Sequence, residues 1–181
     1  MDTLAVLILV ALLVWAVFLY NRLVRDRNRV LAAWSDIGVQ LKRRHDLIPK
    51  LVDAVKQYAA YEQATLSAVT ELRVQSQQVS DIGRKGELEL ALGNGVQRLL
   101  AIAEAYPELK ANQSFLALQG DVSEVENHIQ YARRYYNGAV RNLNTRIDSF
   151  PDLFIARVFN FRPQPYFALE SDGESLPPEV K

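Results

Sequence analysis

Residues 115 to 150 read FLALQGDVSEVENHIQYARRYYNGAVRNLNTRIDSF, and their periodicity decides the fold. Apolar side chains recur at Phe115, Leu118, Val122, Val125, Ile129, Ala132, Tyr136, Val140, Leu143, Ile147 and Phe150. Steps of three and four place them on one face of a helix, whereas a strand would alternate. No proline interrupts the run, so one helix of about 54 Å is expected at 1.5 Å per residue. Such a helix cannot bury its stripe alone, and the rest of the chain must supply partner helices. Two successive steps of four, Ala132 to Tyr136 to Val140, depart from the heptad and relax left-handed supercoiling.

At the other end of the chain, Leu4 to Tyr20 carries no charged residue and is dominated by Leu, Val, Ile and Phe. Its length is the short end of a membrane span. Its twelve Leu, Ile, Val and Phe side chains favour insertion by roughly 4 to 7 kcal/mol. A cleaved signal peptide would need a basic leader and a small-x-small site. Only Asp2 precedes the run, and Trp15-Ala16-Val17-Phe18-Leu19-Tyr20 closes it, so an uncleaved anchor is expected. Arg22, Arg25, Arg27 and Arg29 crowd the far flank with no Lys or Arg before the span. The positive-inside rule then puts the N-terminus outside and the body in the cytoplasm of a single-pass membrane protein.

Between these stretches three further segments are expected. Leu23, Arg27, Val30, Trp34, Ile37, Leu41 and Arg44 share a helical stripe with the anchor, with both arginines snorkelling to water. Lys42-Arg43-Arg44-His45 then reads as a helix end, and Asp46 with Pro49 as a restart. Leu51 to Gln75 forms the second helix, 76–86 a loop, and Leu88, Leu92, Val96, Leu99, Ile102 and Tyr106 the third. Gly93 and Gly95 inside it each cost about 1 kcal/mol of helix propensity, offset by close helix contact in preference to a ligand pocket. The class is all-α: an N-terminal transmembrane helix running into an antiparallel four-helix, coiled-coil-like bundle. Residues 1–20 form the anchor, 21–150 the bundle, 151–168 a short apolar segment and 169–181 a disordered acidic tail. Phe154, Phe159 and Phe161 in that segment either cap the bundle or lie in the membrane interface.

Composition narrows the chemistry. The 181 residues have a formal net charge of zero and no cysteine, so there is no field for nucleic acid and no thiolate chemistry. The di-iron arrangement of helical bundles needs two Glu-x-x-His motifs, and neither of the two histidines has Glu three residues before it. Glu124 and His128 are spaced as half a zinc site but read better as an exposed pair. No nucleotide fingerprint or nucleophile elbow occurs, so no cofactor, no metal and no catalytic residue are expected. A cryptic enzyme would have to use His45 or His128. Tyr131, Tyr135, Tyr136, Asn137 and Asn144 on the long helix are candidates for fixing register or for binding a partner.

Three runs carry a resemblance: Val39-Gln40-Leu41-Lys42-Arg43-Arg44-His45-Asp46-Leu47-Ile48-Pro49, Ala103-Glu104-Ala105-Tyr106-Pro107-Glu108-Leu109-Lys110-Ala111-Asn112, and Tyr136-Asn137 followed by Asn144, Ile147 and Phe150-Pro151. They resemble the LemA family of bacterial membrane proteins from about Tyr20 to Phe167, with Lys50 where the family commonly has Asn. The resemblance implies a membrane anchor followed by an antiparallel helical bundle, without established enzymatic activity or cofactor. A magnetosome-associated branch and genomic company with membrane proteases imply envelope organisation or quality control. The functional expectation is a scaffold or adaptor that binds protein partners, or itself, at the membrane. The alternatives are a membrane-shaping protein binding lipid through its C-terminal apolar segment, and the cryptic enzyme.

Overall fold

The computed structural model describes residues 2–167; the expected acidic tail, 169–181, lies outside them. The described residues form six helices: α1 (Asp2–Lys56), α2 (Gln63–Gln78), α3 (Ile82–Glu104), α4 (Pro107–Lys110), α5 (Gln113–Asp148) and α6 (Asp152–Val158). The fold is all-α, a set of packed helices, and the expected second helix, Leu51 to Gln75, is divided: 51–56 belong to α1, 57–62 form a turn, and α2 begins only at Gln63. Along α5 the predicted stripe is buried at Phe115, Val122, Val125, Ile129, Tyr136, Val140, Leu143 and Ile147. Leu118 and Ala132 are only partly buried, and Phe150 is exposed: α5 stops at Asp148, and the ring beyond it turns out to solvent.

The contacts divide the described chain into two units, residues 2–35 with 134–165 and residues 36–133 with 166–167. In the first, the N-terminal part of α1 begins with a fully apolar stretch whose side chains from Leu4 to Phe18 face outward, apart from the partly covered Ala16. This helix is long and apolar enough to cross a membrane. Packing starts at Leu19 and Leu23 and continues with Val30 and Ala33. α6 closes on Asn160, whose positive φ of 55° is the left-handed conformation that ends helices. Phe161 N–H donates to Ala156 O at 2.9 Å, and Asn160 N–H to Arg157 O at 3.3 Å, completing a Schellman stop.

The second unit holds the main core. Ile48, Leu51 and Val55 of α1 meet Leu66 and Val69 of α2, Leu92, Val96 and Leu99 of α3, and Phe115 and Val122 of α5. Here the expected break at Asp46 does not occur: α1 runs to Lys56 with Pro49 inside it. A proline there removes the N–H that would donate to the carbonyl of His45, four residues back. Arg73 of α2 replaces that donor, its Nε donating to His45 O at 2.7 Å. The helix therefore continues because a side chain from the neighbouring helix satisfies the carbonyl that proline leaves unpaired.

The expected loop 76–86 is also shorter. α2 continues to Gln78, and α3 starts at Ile82 because Asp81 caps it, its Oδ1 accepting from Arg84 N–H at 2.7 Å. Of Gly93 and Gly95 inside α3, Gly95 marks a close helix approach: a Cβ there would lie 2.7 Å from Val69 Cγ2.

Candidate functional site

In the second unit, α1, α2, α3 and α5 place polar side chains around one carboxylate. Glu89 lies three residues before Leu92 and seven before Val96, on the apolar face of α3, and is 2% exposed. Its Oε2 accepts from Arg44 Nη1 at 3.1 Å, and its Oε1 is 2.8 Å from His45 Nε2. Ser76 Oγ donates to the same Oε1, and Arg44 Nη1 also donates to the Glu89 backbone carbonyl at 2.7 Å. On the other side of the guanidinium, Nη2 donates to Glu126 Oε2 at 3.0 Å. Arg44 Nε stands 3.0 Å from Glu126 Oε1, close as charges, yet neither atom has a hydrogen-bond partner in good alignment.

Environment sets the two carboxylates apart. Burial pushes the Glu89 pKa up, but the His45 hydrogen bond, the Arg44 charge and the Ser76 hydroxyl outweigh it and hold it below its ordinary 4.5. Glu89 is thereby biased toward its ionised form, in which both oxygens accept hydrogen bonds. Glu126 moves the other way: burial raises its pKa, Arg44 opposes that, and the neighbouring Glu89 charge adds to it. A cavity of about 250 Å³ opens beside the cluster, lined among others by Arg44, Glu89, Asn94, Glu126, Arg133 and Phe167. Gly93 forms part of its wall, where a Cβ would sit 3.6 Å from both Arg44 Nη2 and Glu126 Oε2.

This arrangement corrects two expectations. Arg44 does not snorkel and His45 does not serve a helix end; both are buried, at 4% and 6% exposure, in mid-helix. Sequence reasoning missed Glu89, Ser76 and Glu126 as their partners. The readable signal was a base and an acid on the apolar stripes of two different helices. Chemically the cluster joins four helices through one saturated carboxylate and the guanidinium beside it. Among the described residues, no group of three or more His, Cys, Asp or Glu side chains is placed to hold a metal ion.

The predicted site residues separate into distinct settings. Arg22, Arg25, Arg27 and Arg29 are exposed on α1 in the first unit, where Arg29 Nη1 lies 3.3 Å from Asp26 and the Arg27 guanidinium 5.5 Å from the Phe161 ring centroid. Tyr136 is fully buried, its pKa raised by that burial, and its hydroxyl donates to Pro165 O at 2.9 Å. Asn144 exchanges two hydrogen bonds of 2.9 Å with the Gln164 backbone and ties the segment after α6 to α5. Asn137 is buried, whereas Tyr131 and Tyr135 are exposed. Phe154 and Phe159 are exposed and Phe161 is partly buried. His128 is on the surface, 3.4 Å from Glu124, which Arg43 also contacts at 3.2 Å.

An outward-facing apolar helix leading into a bundle whose buried charges tie helices together defines a membrane-associated helical protein. The chain belongs to the LemA family, whose family model matches residues 33–181. It is 30% identical over 132 residues to Protein LemA of Metamycoplasma hominis, covering 72% of this chain and 60% of that protein's length. It is 24% identical over 201 residues to Magnetosome protein MamQ of Magnetospirillum gryphiswaldense, covering 97% and 74% of the two chains. Magnetosome protein MamQ 1 of Paramagnetospirillum magneticum is 24% identical over 197 residues, covering 94% and 72%. Family membership and the apolar helix together support a membrane-associated, non-catalytic protein anchored by a single span.

Proposed function

We propose that this protein is a membrane-anchored scaffold or adaptor, binding other proteins or its own copies at the cytoplasmic face of the inner membrane. The observation that carries the reading is the continuity of α1, from an outward-facing apolar segment into the core of the bundle, without a break at Pro49. A helix shared between anchor and bundle couples whatever binds the bundle to the membrane. The contact residues are Tyr131 and Tyr135, aromatic and exposed on α5, the kind of side chain that anchors interfaces. Residues 1–20 act as anchor, 21–150 as an antiparallel, coiled-coil-like bundle and 151–168 as an apolar appendage. The likeness to magnetosome proteins accords with an organising role without assigning a cargo.

The cytoplasmic placement rests on Arg22, Arg25, Arg27 and Arg29 beyond the span. Because the chain has no cysteine, Tyr61→Cys, at a side chain 99% exposed, supplies a unique thiol. Protection from an impermeant thiol reagent in intact cells, with labelling after lysis, is expected; labelling of intact cells reverses the orientation. For the function itself, the full-length chain is cross-linked in its own cells and everything attached is identified by mass spectrometry. A reproducible foreign partner makes it an adaptor, and cross-links between its own copies make it a self-assembling scaffold. A chain that stays monomeric and unattached overturns both.

A further inference from the structure

α6 is built inside out. Its packed face is Asp152 and Ala156, 6% and 1% exposed, while Phe154 and Val158, four residues apart, are 58% and 76% exposed. Phe150 and Phe159 extend the apolar side at 78% and 56%, and the Phe150 and Phe154 rings stand 5.9 Å apart. A helix packed against a protein in water presents the reverse pattern, and a contiguous apolar patch marks a contact with something else. This patch is held in place: Arg146, which bonds Asp26 of α1, also reaches Asp152 at 3.7 Å, and the Asn160 stop fixes where Phe161 goes.

Where it is held identifies what it meets. Phe159 and Phe161 pack on Tyr20, with ring centroids 4.7 and 5.8 Å away, and Tyr20 closes the apolar run just before Asn21 and Arg22. The aromatic cluster therefore lies at the level where α1 leaves the bilayer, the depth that amphipathic rings prefer. The span needs such a supplement. Thr3 to Phe18 covers about 24 Å at 1.5 Å per residue, against a hydrocarbon core of about 30 Å. Arg22, Arg25, Arg157 and Arg162 are all exposed in the same unit, and near a membrane surface each favours anionic headgroups.

We propose that residues 150–161 form a second membrane contact, an aromatic collar that lies in the headgroup region of the anionic leaflet from which α1 emerges. This goes beyond the scaffold reading and stands on the first unit alone. The occupant is lipid, because the patch is continuous with the span and is flanked by arginines.

The test uses the full-length protein reconstituted in vesicles of phosphatidylcholine and phosphatidylglycerol. Val158→Cys and Tyr61→Cys are labelled separately with an environment-sensitive fluorophore and titrated with shallow spin-labelled lipid. Quenching at position 158 several-fold greater than at position 61, with a blue-shifted emission, is expected. Adding Phe154→Asp and Phe159→Asp should reduce the quenching at 158 while the helical circular dichroism is kept. Equal quenching at the two positions overturns the proposal. So does a position 158 signal that follows protein density in the vesicle instead of lipid quencher, since the patch would then be covered by a second copy.

Discussion

Replacing Arg73 with methionine tests the rule that carries α1 through Pro49. The substitution keeps most of the side-chain length and removes the donor that reaches His45 O at 2.7 Å. A hydrogen bond to a charged donor is worth about 1.5 to 3 kcal/mol, and the carbonyl is left without a substitute. At about 2 to 4 °C per kcal/mol for a chain of this length, the melting temperature should fall by about 3 to 12 °C. The same change in a Pro49→Ala background should cost less, because alanine at that position supplies the missing intrahelical N–H, and Pro49→Ala alone relieves up to about 3 kcal/mol. The coupling energy of this cycle should be about 1 to 2 kcal/mol. Melting by circular dichroism of the four reconstituted proteins measures it. An identical loss on Arg73→Met in both backgrounds would refute the compensation and leave the continuity of α1 to packing alone.

Glu89→Gln should destabilise by about 3 to 5 kcal/mol, because it leaves Arg44 buried with half its compensation; denaturant titration reads this, and Arg44→Met combined with Glu89→Leu should cost less than the sum of the two single changes. For Glu126, whose folded pKa lies above 4.5, the folded state holds the proton longer than the unfolded chain, so its contribution lowers stability as pH rises through that window. Glu126→Gln should flatten this slope, and an unchanged slope in denaturant midpoints from pH 4.5 upward sinks the assignment. Glu89 has the opposite sign: its stabilisation is present above 4.5 and is lost as pH falls through its depressed pKa. Gly95→Ala should destabilise despite the gain of about 1 kcal/mol in helix propensity, since its Cβ would lie 2.7 Å from the stiff Val69 side chain; Gly120→Ala, with nothing within 4 Å, should stabilise by about that 1 kcal/mol. Asn144→Ala removes both bonds to the Gln164 backbone and should cost about 1 to 3 kcal/mol, with amide exchange at Gln164 accelerating before the core melts.

What was legible in the sequence followed periodicity. The α5 stripe and the apolar run of α1 are repeated signals, and each residue reinforces the next. Breakers and polar residues depend instead on distant partners. Pro49 reads as a boundary because the local rule counts only the lost N–H, whereas its compensation lies on α2 at Arg73. Residues 76–86 look unstructured by composition, yet Asp81 is a capping residue with Arg84 and Glu87 following it, 2.7 Å apart in a surface pair, and that pattern was available. Arg44 and Glu89 sat on apolar stripes in plain view, and only the packing of α1 against α3 turned two anomalies into one ion pair. Gly95 was read from physical necessity, a helix approach that excludes a side chain, and Val69 proved to be the neighbour. Phe154 and Phe159 could not be oriented from sequence, because a short apolar helix has no polar face to mark its outside.

The central claim, that the bundle presents a binding face while α1 holds it to the membrane, is tested most directly by photo-cross-linking in living cells. A photoreactive amino acid is placed at Tyr131 or Tyr135, and at Tyr61 as an exposed control outside the long helix. Discrete higher-mass adducts at 131 and 135, absent at 61, are the predicted result. Adducts of equal yield at all three positions, or none at 131 and 135, would contradict the account.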